Sequence, residues 1–253
     1  MKIIIKFKKF VKLFLFKYFI NIYSSFEYYL NLKKINKLKL HQFEIMNLSF
    51  SMFSTKNFID PSWQKKETEV IINLLKNNDL FLNLGANIGY YVCLASKLKK
   101  NIIAVEPDYF NLKVLYKNIN FNKIEDCLVV PMATYDKNAI KPMYGRGVTA
   151  SLFFNWDNTE KTDIKDLIPT FKLDDLIKEK VNAKNTFILM DIENSEYKSL
   201  LGSSSILSSK NKPIWMVEVH PTFYSKASRP LKEFDDIFNI FWKNQYSSYL
   251  VAE

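Results

Sequence analysis

The sequence predicts an α/β fold: a mostly parallel, doubly wound sheet with flanking helices, preceded by a basic, aromatic arm. Three observations predict it. From about residue 62, short apolar runs alternate at least five times with amphipathic segments, the order left by parallel strands joined through crossover helices. The first apolar run ends in a turn, Gly85 to Gly89, that holds two of the chain's five glycines. The second ends on Glu106-Pro107. A chain of 253 residues suffices for one domain of ordinary size with a full core.

The elements follow in order. Val70, Ile71, Leu74 and Leu75 recur at helical spacing and place a helix over 63–77,. The run 79–84 is a buried-strand candidate that ends at Gly85. A helix over 88–99 carries Tyr91, Leu94, Ala95 and Leu98 on one face; a second strand spans 101–105, and Pro107 closes it,. A helix over 108–120 and a third strand over 126–131 come next. The stretch 134–170 holds Pro142, Gly145, Gly147, Asp157 and Asn158 and reads as loops or a small hairpin,. Beyond it lie a short helix over 173–180, a strand over 186–192, a helix over 195–207, a strand over 213–219 and a helix over 231–242; 247–252 reads as a sixth strand.

Composition excludes several classes. Two cysteines, Cys93 and Cys127, make neither a disulfide framework nor a four-thiolate zinc site, and two histidines make no His-rich metal centre,. Of the net charge of +10, nearly all sits in residues 1–40, which hold ten lysines and one acid, Glu27. The body carries 26 bases against 25 acids, so no nucleic-acid partner is expected, since that needs a basic patch on the fold itself. Domain organisation is read as 1–60, a helical extension, and 61–253, the functional body. The arm's longest apolar stretch, 18–30, is shorter than the roughly 20 residues a spanning helix needs, and no small-residue cleavage site follows it. Two readings fit the arm. One is a helix lying in a membrane surface, lysines toward headgroups and aromatics inward. The other is an ordinary extension packed on the body, with Lys, Asn, Ile, Phe and Tyr enriched by AT-rich coding. The expected location is cytoplasmic, at the membrane surface if the first reading holds.

The segment Phe81-Leu-Asn-Leu-Gly-Ala-Asn-Ile-Gly-Tyr90 carries the clearest chemistry. Glycine at 85 and 89 allows a tight turn and close approach of a ligand, and a helix start offers free N–H groups. Glu106, at the tip of the next strand, is positioned to accept from a ribose diol. The three-glycine pattern of pyrophosphate-binding turns is absent,. A nucleoside without pyrophosphate is therefore favoured over a nicotinamide dinucleotide, with S-adenosylmethionine the obvious one. A plain strand-to-helix turn and a surface acid remain the alternatives.

These residues resemble the FkbM family of S-adenosylmethionine-dependent methyltransferases. The matching stretches are FLNLGANIGYY (81–91), IIAVEPDYFNLKVLYKNI (102–119), FKLDDLI (171–177), FILMDIENSE (187–196) and WMVEVHP (215–221). The resemblance implies a Rossmann-like class I methyltransferase fold, with Gly85, Ala86, Asn87 and Gly89 around the methionine end of the cofactor. It implies Glu106 at the ribose with Asp108 close by, Met132 and Ala133 near the adenine, and Asp191, Glu193 and Glu196 as active-site carboxylates. The chain departs from the family's usual residues at Asn83 (Asp), near Leu189 (Lys) and at Asn194 (Gly). Asn83 still offers a hydrogen bond to the cofactor but no charge for its ammonium. The fold so implied has a seventh strand, for which no segment is visible up to Glu253.

Methyl transfer to oxygen needs alignment, exclusion of water and a proton acceptor. Asp191, Glu193 and His220 fall at strand ends on one sheet edge and are the candidates. Asp191 is assigned near the methyl donor and Glu193 toward the acceptor, and no metal is called for. His220 may equally cap a strand before Pro221. Tyr144, Phe153, Phe154 and Trp156 could wall an acceptor pocket or simply bury their loop. The expected activity is O-methylation of a sugar, glycan or other small hydroxylated acceptor. The competing expectation is a catalytically silent methyltransferase-like binding module, to which the three departures point.

Overall fold

The computed structural model describes residues 33, 35, 37–54, 65–147, 150–154, 164–182, 185–220 and 230–251. The first regular element is a β-hairpin, β1 (Lys39–Ile45) and β2 (Leu48–Ser54). Met46 and Asn47, at φ 47° and 65°, form the two-residue turn whose left-handed conformation suits the twist of paired strands. This corrects the helical expectation for residues 1–60 over its final part. Alternation of Phe43 with polar neighbours, and of Phe50 and Met52 with serines, puts one face inward,. Phe43 and Phe50 stack at 5.4 Å, and Tyr90 meets both edge-on.

The chain continues through α1 (Lys65–Lys76), β3 (Leu80–Leu84), α2 (Tyr90–Lys97), β4 (Asn101–Val105), α3 (Tyr109–Phe121) and β5 (Cys127–Val130). Three strands follow, β6 (Ala133–Thr134), β7 (Ala139–Tyr144) and β8 (Ile164–Phe171). Then come α4 (Leu173–Leu176), α5 (Lys178–Asn182), β9 (Thr186–Met190), α6 (Glu196–Leu201), α7 (Ser204–Leu207), β10 (Ile214–Val217) and α8 (Leu231–Lys243). The central sheet has the order β5-β4-β3-β9-β10, parallel throughout. The chain winds one way from β3 and the other way from β9. The order therefore reverses between these two strands, where ligands of open α/β sheets bind at the carboxyl ends.

Every residue of β3 and β9 is buried. Alternate residues face opposite sides: Phe81, Phe187 and Leu189 pack with α1, α2, α3 and the hairpin, while Leu82, Leu84, Ile188 and Met190 pack with the second helical layer. Asn118 of α3, fully buried, ties the hairpin to this body. Its carbonyl accepts from Phe53 N at 2.6 Å, and its amide donates to Phe53 O and Ile88 O at 3.1 and 2.8 Å.

The irregular stretch after β5 contains a second sheet, β6-β8-β7, with β7 and β8 antiparallel. The helix expected over 195–207 is two short helices broken at Gly202. The sixth strand expected over 247–252 is not formed over 247–251, where Tyr249 and Leu250 are about nine-tenths exposed. A strand needs a neighbour, which an apolar pattern does not supply; β10 pairs with β9 alone among the described strands. The surface helix expected in residues 1–40 lies outside the described residues except at 33, 35 and 37–40, as does Trp156. Among the described residues no helix is long and apolar enough to cross a membrane.

Candidate functional site

Gly85 follows β3 at φ 84°, and a Cβ there would stand 1.7 Å from the carbonyl oxygen of Asp191. No other residue fits: the turn lies hard against the end of β9. Gly85 N and Ala86 N both donate to Val105 O at 2.9 Å, so the turn also grips the end of β4. Gly89, at φ 95°, faces away from the ligand crevice, and a Cβ there would meet Leu115 of α3 at 2.6 Å. Its role is helix packing. Ala86 is buried in the same apolar layer.

Glu106 turns inward and is 4% exposed. Its Oε2 accepts from Asn87 N at 2.8 Å, and its Oε1 accepts from Asp108 N at 2.8 Å and Asn111 Nδ2 at 3.2 Å. Burial pushes its carboxyl up to about 7 and the neighbouring Asp108 adds to the shift, while the donated hydrogen bonds oppose it,. Asp108, fully buried, caps α3: its Oδ1 accepts from Asn111 N at 2.9 Å,. Its Oδ2 lies 3.6 Å from Arg146 Nη1, which also pairs with Asp166. Burial raises the Asp108 carboxyl, and the Asn111 N–H and Arg146 pull against it. Asp108 thus holds a helix end and a loop, one step behind the crevice.

Gly85, Asn87, Glu106, Ala133, Asp191 and Glu193 line a cavity of about 60 Å³ at the carboxyl ends of β3, β4 and β9. Its other side includes Thr134, Ser151 and Ser195, which sequence reasoning missed. Met132, expected near a base, packs instead against the apolar layer beneath. Asn83 and His220 line a second, larger cavity of about 960 Å³ on the β10 side. Gly85 and Asp191 border both.

Asp191 continues β9 by donating its N–H to Leu84 O at 3.0 Å, and Glu218 continues β10 by donating to Met190 O at 2.9 Å. The two carboxyl groups are thereby neighbours and share a hydrogen bond. Burial holds the Asp191 carboxyl well above the usual range, reinforced by the charges of Glu218, Glu193 and Glu196. Glu218 Oε1 in turn meets His220 Nε2 at 2.6 Å. Asp191, Glu218 and half-exposed His220 thus form a chain of hydrogen-bonding side chains from the crevice to solvent. Glu218 was missed although it stands two residues before His220, at the end of the neighbouring strand. Glu193 and Asn194 form a tight turn at φ 52° and 72°, and Ser151 Oγ donates to Glu193 O at 2.6 Å. Asparagine is among the side chains that best tolerate this conformation, so Asn194 can stand where the resemblance in sequence expects glycine. No group of three or more His, Cys, Asp or Glu among the described residues could hold a metal ion.

The family profile of the methyltransferase FkbM domain matches residues 83–248, well over half of the chain. The chain belongs to the FkbM methyltransferase family. A solved FkbM methyltransferase from Methylobacillus flagellatus is 23% identical, with 65% of this chain and 38% of that one covered and a TM-score of 0.41. A candidate transferase from Pyrococcus horikoshii is also 23% identical, with 37% and 36% covered and a TM-score of 0.30. The match thus spans less than two fifths of either solved chain. No curated protein matches the sequence. Within the FkbM pattern, the departures at 83 and 189 are register partners across β3 and β9.

Proposed function

We propose that this chain is an S-adenosylmethionine-dependent methyltransferase acting on an oxygen of a sugar, glycan or other small hydroxylated acceptor. The observation that carries the reading is Glu106, an inward-facing carboxylate at the tip of β4 beside the Gly85 turn. The residues fit a nucleoside: Glu106 can accept from a diol, and Thr134 and Ser195, which line the same cavity, have hydroxyls with no partner among the described residues. When bound, S-adenosylmethionine supplies an electrophilic sulfonium methyl. Glu106 and Asn87 would hold the ribose side, with Ala133 toward the base. Asp191 lies where the two cavities meet and, with Glu193, is assigned to the acceptor hydroxyl. The proton lost by that hydroxyl would leave through Asp191 and Glu218 to His220 and solvent. A cavity of about 60 Å³ is well below the ~300 Å³ at which ligand pockets begin. Binding therefore requires the cavity to widen.

Calorimetry with S-adenosylmethionine tests the reading. Binding is expected, and Glu106→Ala should weaken it about tenfold or more, the value of hydrogen bonds to a charged group. Absence of binding at high micromolar ligand would remove the enzyme. That outcome would favour a second reading, a silent methyltransferase-like module, which the small cavity and the neutral pair at 83 and 189 support. For residues 1–40 the proposal is contact with an anionic membrane surface. The full chain should co-sediment with anionic vesicles and a chain lacking 1–40 should not; equal pelleting of both would end the idea.

A further inference from the structure

The outward face of α3 has the composition of the arm that precedes the fold. Helical spacing puts Tyr109, Lys113, Tyr116, Lys117 and Phe121 on one side of it,. Tyr109 is 37%, Tyr116 44% and Phe121 46% exposed. A surface helix ordinarily turns charged and polar groups to water; this one turns out three aromatics with two lysines, and its sequence holds no acid. Lys113 Nζ stands 4.3 Å from the centre of the Tyr109 ring, and Lys117 Nζ stands 3.8 Å over Phe53 of the hairpin. Phe53 in turn meets Phe121 edge-on at 5.3 Å. Its cross-strand partner is Leu40, 46% exposed, and such partners share a face. The apolar band therefore runs without a break from the helix onto the outside of the hairpin.

The arm joins the fold at the edge of this face. Lys39, the first residue of β1, pairs with Ser54, next to Phe53. Residues 1–40 hold ten lysines and one acid, so like charge keeps the arm from covering a lysine-bearing face. The same repulsion disfavours two copies meeting through it. An anionic surface attracts both the arm and the face. Lipid fits best, because rings can sink to the headgroup level while lysine stems lie along them and the ammonium groups reach phosphate. We infer that the outward face of α3, with Phe53 and Leu40, is a docking surface for an anionic lipid bilayer. The inference rests on the membrane reading of residues 1–40 and adds to it a second contact, on the folded body. Pro107 and Asn111, at the start of α3, line the smaller cavity, so a body lying on this face holds its crevice beside the lipid surface.

Co-sedimentation of the full chain with vesicles of phosphatidylcholine and phosphatidylglycerol tests the assignment. Lys113→Glu combined with Lys117→Glu should weaken partition about tenfold or more. The same charge change at Lys210 and Lys243, both exposed and outside this face, should weaken it by less than about threefold. Tyr116→Ser should weaken it about threefold, whereas Tyr116→Phe keeps the ring and should partition as the wild type does. Equal weakening by the two charge-reversed pairs, or unchanged partition of the Lys113 and Lys117 variant, would overturn the docking face and leave the arm reading standing. A wild type that stays in the supernatant would overturn both. Tighter binding to a single-stranded polynucleotide than to vesicles at the same salt, lost in the Lys113 and Lys117 variant, would assign the face to nucleic acid and overturn the lipid surface.

Discussion

Asn83→Asp alone is expected to destabilise the fold by about 3 kcal/mol at pH 7, and Leu189→Lys added to it is expected to restore most of that loss. Asn83 is 2% exposed and Leu189 5%, and they are paired residues on adjacent central strands. An aspartate at 83 would be an uncompensated buried charge, worth about 3–5 kcal/mol when its partner is missing. A lysine at 189 would border the larger cavity together with Glu67 and Asp191, so Leu189→Lys alone should cost less than Asn83→Asp. Urea unfolding of the four chains closes the cycle, and a coupling of about 2 kcal/mol or more is expected. The penalty of Asn83→Asp should shrink at pH 5, because a buried carboxyl takes a proton instead of remaining charged. Additive effects, or a penalty independent of pH, would show that this chain lost more than an ion pair.

The cycle also bears on how the departures arose. Replacing a buried ion pair by two neutral residues is often neutral for stability, whereas losing one member alone is not. A charge introduced at either position is thus coupled to the residue at the other. In sequence they are 106 residues apart and look like two separate defects; only the register of β3 on β9 joins them.

The same divide separates what was legible in the sequence from what was not. The central strands and helices were legible because their signals are local: apolar runs of five residues, helical spacing and a glycine or proline at the ends. Glu106 was legible from its place at a strand tip. The hairpin was not, because the lysines and aromatics of the preceding arm masked the alternation that begins at Phe43. Asn111, Thr134, Ser151 and Ser195 reach the crevice through tertiary packing and carry no local signal. Met132 is the converse case: the family resemblance put it with Ala133 near a base, but adjacent residues of an extended chain point to opposite sides, and of the two only Ala133 lines the cavity.

Stability should fall as pH rises from about 4.5 to about 7, and Glu106→Gln should remove much of that slope. The Glu106 carboxyl is raised from 4.5 to about 7 in the folded chain. Between those values the folded state holds a proton that the unfolded state has released, so each step up in pH favours unfolding. A shift of this size corresponds to about 3 kcal/mol, complete by roughly pH 8. Asp108 and Asp191 are raised as well and act in the same direction, so some slope should persist in the variant. The reading compares slopes and not absolute stabilities. All three groups that contact Glu106 are donors, so the Gln amide will lose a hydrogen bond at every pH. Urea unfolding at pH 5 and pH 8 for both chains measures the difference, and an unchanged slope would mean that Glu106 is not the buried proton holder. A ligand whose diol donates to this group favours the charged carboxylate. Nucleoside affinity in the wild type should therefore strengthen as pH rises through 7, over the same interval in which the empty fold weakens.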